Sequence, residues 1–412
     1  MKSPFFLLFS ILFMGLIACN KQMQGTDPCD CGGCCDTLAT PIKLLWKQPL
    51  APDSSENWSM KPAIFQDKVV FSLLFYTEGQ EYYKVYNKQT GKFLWQWEAT
   101  PLPGTAARTE GWAQKDNMFI INSNFKRMYA FDMNTDQLAW SYIAPYQTCT
   151  GGPNINIMGD FVYHEQSKNQ IDLDSSFLTR LHYKTGACDT VFTLIKENTY
   201  SPSPYPPALW VNPNGDSILV FQNRQISFKT LRYKCDLYAF NLRTRKIEWE
   251  LDSLTSDGNS SVKTPLVYNG KVYFFGAREL HCVDIQTGTI KWQKPCEKWD
   301  HLLTTNLILA EGKLLYKPHN DGYLYAVDPE TGNEIYRRPD TETGDAEIAY
   351  YKGNIYYGSK YLYCVRVSDG KVLWKMESPT KRSNVLMLSV SIDQTTGKLY
   401  VADKYYAMCF QL

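Results

Sequence analysis

The chain has 412 residues, of which 43 are Lys or Arg and 42 are Asp or Glu. That near-neutral balance gives no electrostatic basis for gripping nucleic acid or an anionic lipid surface. Aromatic residues make up 14%, with 28 Tyr and 11 Trp, a bias toward half-buried strands, and amphipathic helical runs are hard to find.

Taken from the start, Phe5 to Ile17 is uncharged and rich in Phe, Leu and Ile, too short to span a bilayer and read as a secretory h-region. It ends in Leu16-Ile17-Ala18-Cys19, which resembles the lipobox of bacterial lipoproteins. The resemblance implies cleavage before Cys19 and a lipid on its thiol; the alternative is an ordinary signal peptide. Without residues 1–18 the basic and acidic residues number 42 each. No later stretch is apolar for long enough to cross a membrane, so the lipid is the expected anchor. Asn20 follows the lipid cysteine where Asp would resemble an inner-membrane retention signal, which favours the outer membrane, facing either periplasm or medium. Residues 19–39 read as a flexible tether holding Cys29-Asp30-Cys31-Gly32-Gly33-Cys34-Cys35. An oxidising compartment favours a disulfide-bonded knob there, with a metal clip and unpaired thiols as alternatives.

From residue 40 to 412 the chain repeats. Seven segments end on an aromatic residue: KVYNKQTGKFLW (84–95), YAFDMNTDQLAW (129–140), LHYKTGACDTVF (181–192), YAFNLRTRKIEW (238–249), HCVDIQTGTIKW (281–292), YAVDPETGNEIY (325–336) and YCVRVSDGKVLW (363–374). An eighth is split between YYAMCFQL at the end and IKLLWKQPL from Ile42. The aromatic positions recur at intervals of 38 to 57 residues, the length of a four-stranded blade. Upstream of most segments lies a hairpin pattern, as in PLVYNGKVYF (265–274) and IAYYKGNIYY (348–357). The expectation is an all-β, eight-bladed propeller of antiparallel blades, with strand D of the last blade supplied by residues 42–49.

The segments resemble the tryptophan-docking motif of pyrroloquinoline-quinone (PQQ)-like propellers, most closely in CVDIQTGTIKW and AVDPETGNEIY. Asp132, Asp284 and Asp328 share one position with Asn87 and Asn241 and read as turn caps rather than metal ligands. His182, Arg366 and Cys409 are placed at that same position in their repeats. Cys282 and Cys364 align with Ala130, Ala239, Ala326 and Ala407 and read as buried small side chains; His281 reads as structural.

What does not repeat is the set of D-to-A and B-to-C connections on one face, among them residues 51–60, 101–112, 164–177, 196–207, 222–234 and 296–305. Trp58, Trp112, Tyr205, Arg278 and Trp299 are the candidate partner-binding anchors; the alternative is that these aromatics fold inward. No catalytic, cofactor or metal residue is nominated, and no cofactor is expected. An envelope lipoprotein with this propeller resembles the BamB family, which implies a non-enzymatic scaffold that binds a protein partner in outer-membrane assembly. Two alternatives stand beside it. One is a glycan- or ligand-binding lipoprotein. The other is a PQQ-dependent dehydrogenase, whose family uses adjacent cysteines inside the propeller; here the adjacent pair Cys34-Cys35 lies in the tether.

Overall fold

The computed structural model describes residues 42–50, 57–58, 61–75, 80–99, 109–123, 127–145, 155–167, 174–227, 229–230, 232–252, 254, 263–276, 279–295, 306–318, 322–339, 346–379 and 389–412. The expected signal segment, the expected tether with its cysteines, and Cys149, Cys296, His301 and His319 lie outside them. The described residues form strands and no helix, in eight antiparallel sheets, six of four strands and two of five. Each sheet is one blade of a ring. In blades 1 and 4 the innermost strand is split, into Asn57–Trp58 and Ala63–Ile64 and into Tyr200–Pro204 and Ala208–Val211.

Blade 8 joins Lys43–Pro49 to Tyr406–Gln411, which pairs with Lys398–Ala402 and then Ser391–Asp393. The split repeat thus closes the ring as expected. Its register corrects one alignment: Cys409 lies opposite Trp46 and Ala407 opposite Gln48. In the other blades the residue opposite the aromatic is Val85, Ala130, Leu178, Ala239, Cys282, Ala326 or Cys364. Cys409 therefore belongs with Cys282 and Cys364, and Gln411 takes the turn position. The displacement arose because Tyr405-Tyr406-Ala407 mimics the Tyr-Ala start of a strand C two residues early.

The hydrophobic core is not one mass but eight layers, each shared by two neighbouring blades. This follows from strand alternation: both faces of every blade are covered by a neighbour, so inner strands read as near-continuous apolar runs such as Lys271–Gly276, KVYFFG. Every C–D pair carries a register shift at the aromatic residue. The extra residue re-aims the strand, turning the aromatic ring onto the next blade.

There the ring lies on the turn glycine. Trp46, Trp140, Trp249 and Trp292 donate through Nε1 to Lys88 O (3.2 Å), Tyr183 O (2.9 Å), Ile285 O (2.8 Å) and Pro329 O (3.1 Å). Tyr336 donates through its hydroxyl to Val367 O at 2.9 Å. A Cβ on Gly91, Gly186, Gly288, Gly332 or Gly370 would come within 2.6 to 2.9 Å of these rings. Where the turn lacks glycine, at Asp136 (φ 58°) and Arg245 (φ 59°), the bond is missing: Trp95 Nε1 is buried without a partner, and Phe192 has no donor.

The turn position caps as expected. Asn87, Asp284 and Asp328 each accept from two backbone amides and a threonine hydroxyl. His182 accepts the Lys184 amide on Nδ1. In blade 7 Arg366 cannot accept, and Asp369 takes over, accepting from the Lys371 amide and pairing with Arg366.

Candidate functional site: the channel mouth and the loop face

Strands A of several adjacent blades touch one another near the axis, as Ala63–Ile64 and Ala349–Tyr351 both do with Ser391–Asp393. Just ahead of each strand A, at the loop-face end, the register position is polar: Lys61, Thr264, Asn306, Glu347 and Ser389 in blades 1, 5, 6, 7 and 8. Three charges converge here. Lys61 Nζ lies 3.2 Å from Glu347 Oε2, and Lys263 Nζ lies 3.0 Å from Oε1. Blades 1 and 5 stand on opposite sides of an eight-membered ring, so one carboxylate that reaches both spans the channel mouth.

Neighbouring blades hold all three backbones. Trp112 of blade 2 donates to Lys61 O at 2.6 Å, Gln222 of blade 4 to Lys263 O at 3.4 Å, and the Glu347 amide to Ser389 Oγ of blade 8 at 2.9 Å. Burial acts to raise the pKa of Glu347, but the two ammonium groups outweigh it and hold the carboxyl down at about 2. Glu347 is therefore ionised at neutral pH, held between two lysines.

The sequence did not single out these three residues. Lys61 and Glu347 share a position whose side-chain chemistry changes from blade to blade, legible once the register is known, while Lys263 lies one residue ahead of Thr264 at that position in blade 5.

Of the candidate anchors, Trp112 and Tyr205 take the inward-folded alternative. Trp112 is half-buried against Phe119, with its indole N–H spent on Lys61 O. Tyr205 is 2% exposed, under the Arg224 guanidinium at 5.8 Å. Both fold inward because the 101–112 and 196–207 connections are shorter than they read: Thr109–Lys115 and Tyr200–Pro204 are already strands. Trp58 lies in a strand paired with Leu74, and nothing further is described of its side chain. Arg278 and Trp299 lie outside the described residues.

The loop face has a further correction. The connections at 164–177 and 222–234 are largely strand, extending Phe161–Ser167 into Ser175–His182 and Ser217–Ser227 into Arg232–Asn241. These tall hairpins of blades 3 and 4 carry buried polar side chains that bond within each blade, to one another and to Tyr142 of blade 2. Ser203 donates to Glu165 (2.8 Å), Asn223 and Gln225 donate to Asp236, and Gln166 donates to Tyr142 (3.0 Å) and Thr179 (3.3 Å). Periodicity could not show them, because polar residues in a strand pattern read as solvent-facing.

Ring, repeat and blade closure together define a PQQ-like eight-bladed β-propeller. Residues 233–411 match the family model described as outer membrane protein assembly factor BamB. Among solved structures, the chain is similar to BamB from Moraxella catarrhalis at 14% identity, over 90% of this chain and 100% of that one, with a TM-score of 0.58. It is similar to the computationally designed Ika8 protein at 13% identity, over 87% and 98%, with a TM-score of 0.59. A europium-containing methanol dehydrogenase matches at 11% identity, over 87% and 84%, with a TM-score of 0.61. No curated protein matches the chain. These likenesses establish the architecture.

Proposed function

We propose that the chain is a lipid-anchored envelope scaffold of BamB type, which binds a protein partner through the face carrying the D-to-A and B-to-C connections. The observation that carries this reading is the family match over residues 233–411, seconded by a BamB structure whose whole length the chain covers. Cys19 supplies the anchor and the outer membrane is the favoured site. Trp58, Arg278 and Trp299 remain the anchor candidates on that face, while Trp112 and Tyr205 hold its floor in place. Photo-crosslinkers at positions 58, 278 and 299, activated in native membranes, should capture one envelope protein. Capture of nothing at any of the three would remove the loop face as the contact surface.

The methanol dehydrogenase likeness favours a second reading, an enzyme with PQQ in the channel. The residues present fit that group poorly. The channel-mouth carboxylate is already neutralised by two lysines, and among the described residues no three His, Cys, Asp or Glu side chains converge to hold a cation. Equilibrium dialysis with PQQ and calcium should show no retention; saturable retention with dye reduction would establish the enzyme.

A further inference from the structure

We propose that Lys61, Glu347 and Lys263 form an ionic latch, which locks the ring at its seam and seats the protein's own carboxylate in the channel mouth. The seam is blade 8, the one blade assembled from two distant parts of the chain. Its joining strand, Lys43–Pro49, is the outermost of the four, so the β-ladder holds the seam at large radius. A sheet held only at its rim can hinge open toward the axis.

The inner edge is held by other contacts, which run from blade 7 through blade 8 to blade 1. The Glu347 amide donates to Ser389 Oγ at 2.9 Å, and Ser391 Oγ donates to Pro62 O at 2.5 Å. The Lys61–Glu347 pair then joins blade 7 to blade 1 directly, bypassing the seam. Lys263 ties the same carboxylate to the opposite wall, so the brace cannot swing aside. Because each backbone is pinned by an adjacent blade, the three residues are brought together without further ordering of the main chain. Without the carboxylate, the two lysines from opposite walls would lose the acceptor they share.

Hydrogen exchange followed by mass spectrometry on the full chain tests this. Glu347→Gln and Lys61→Gln should speed exchange across Lys43–Pro49 and Tyr406–Gln411 by on the order of tenfold, while Phe161–Ser167 in blade 3 keeps its wild-type rate. Inorganic phosphate, a dianion for the two lysines, should slow seam exchange again in Glu347→Gln. Seam strands that exchange at the wild-type rate, acceleration spread evenly over all blades, or a seam blind to phosphate would each overturn the latch. Should the variants not fold, added sodium chloride in the wild type reads the same contact: seam-selective acceleration supports it, and its absence overturns it.

Discussion

At Gly332 two separate demands fall on one residue. Its φ is +72°, and a Cβ there would approach Trp292 to 2.7 Å. Gly312 has the same conformation, φ +71°, with nothing within 4 Å of an added Cβ. Gly312→Ala should therefore cost only the left-handed penalty, about 1 kcal/mol. Gly332→Ala should add the displacement of a buried indole, for a total of about 3 kcal/mol. Denaturant midpoints of the two variants separate backbone strain from blade docking. Two histidines set the acid response at this scale. His164 and His281 are 2% and 1% exposed, and burial holds both imidazoles down at about 4 from an ordinary 6.5. The unfolded chain binds protons first, so stability is complete above about pH 6.5 and falls as pH drops toward 4. Each histidine contributes on the order of 3 kcal/mol to that fall. His281→Phe keeps a ring on Phe274, 4.9 Å away, and should flatten the pH dependence of urea unfolding between pH 7 and 5. A slope unchanged by the substitution would assign the acid response elsewhere. Glu347 acts lower: its stabilising pairs persist above about pH 4.5 and weaken as pH falls toward 2.

Within a blade, cysteine and tyrosine work as a pair. Tyr273, Tyr356 and Tyr400 on strand B face Cys282, Cys364 and Cys409 on strand C. In blades 5 and 8 the tyrosine hydroxyl and the indole N–H reach the same carbonyl of the next blade, Pro329 O from Tyr273 and Trp292, and Lys88 O from Tyr400 and Trp46. Both lone pairs are used, and only a small side chain fits beneath the two rings. Tyr273→Phe leaves the carbonyl its indole donor and should cost about 1 kcal/mol in denaturant unfolding. Thiol labelling should follow the same geometry: in the native state Cys188 reacts, while Cys282, Cys364 and Cys409 react only after unfolding. Mass mapping that found Cys282 modified in the folded protein would contradict its packing. The sequence carried this role through the alignment of Cys282 and Cys364 with alanines. It missed Cys409 because the chain ends before the Thr-Gly turn that anchors the register elsewhere. It also read the tall hairpins of blades 3 and 4 as loops, since a buried polar strand has no hydrophobic alternation to show.

Across the molecule, eight interblade layers replace a single core, and each depends on both its neighbours. Removing residues 42–49 should therefore unseat Trp46 from Gly91 as well as strip blade 8, and replace one cooperative unfolding transition with a broadened one. A sharp, single transition in that truncated chain would show the blades to be autonomous. Blade number and closure were legible because they repeat. The channel mouth was not, because Lys61, Lys263 and Glu347 come from connections with no common length and meet only once the ring is shut. The order in which the chain is made has its own consequence. Lys43–Pro49 emerges long before its partner, Tyr406–Gln411, and has no other strand to pair with. Until that partner is made it is an unpaired edge with apolar Leu44, Leu45 and Trp46, open to wrong partners. The ring becomes a ring only when Tyr406–Gln411 has been made, so its closing step cannot come before that strand, however early the other blades form.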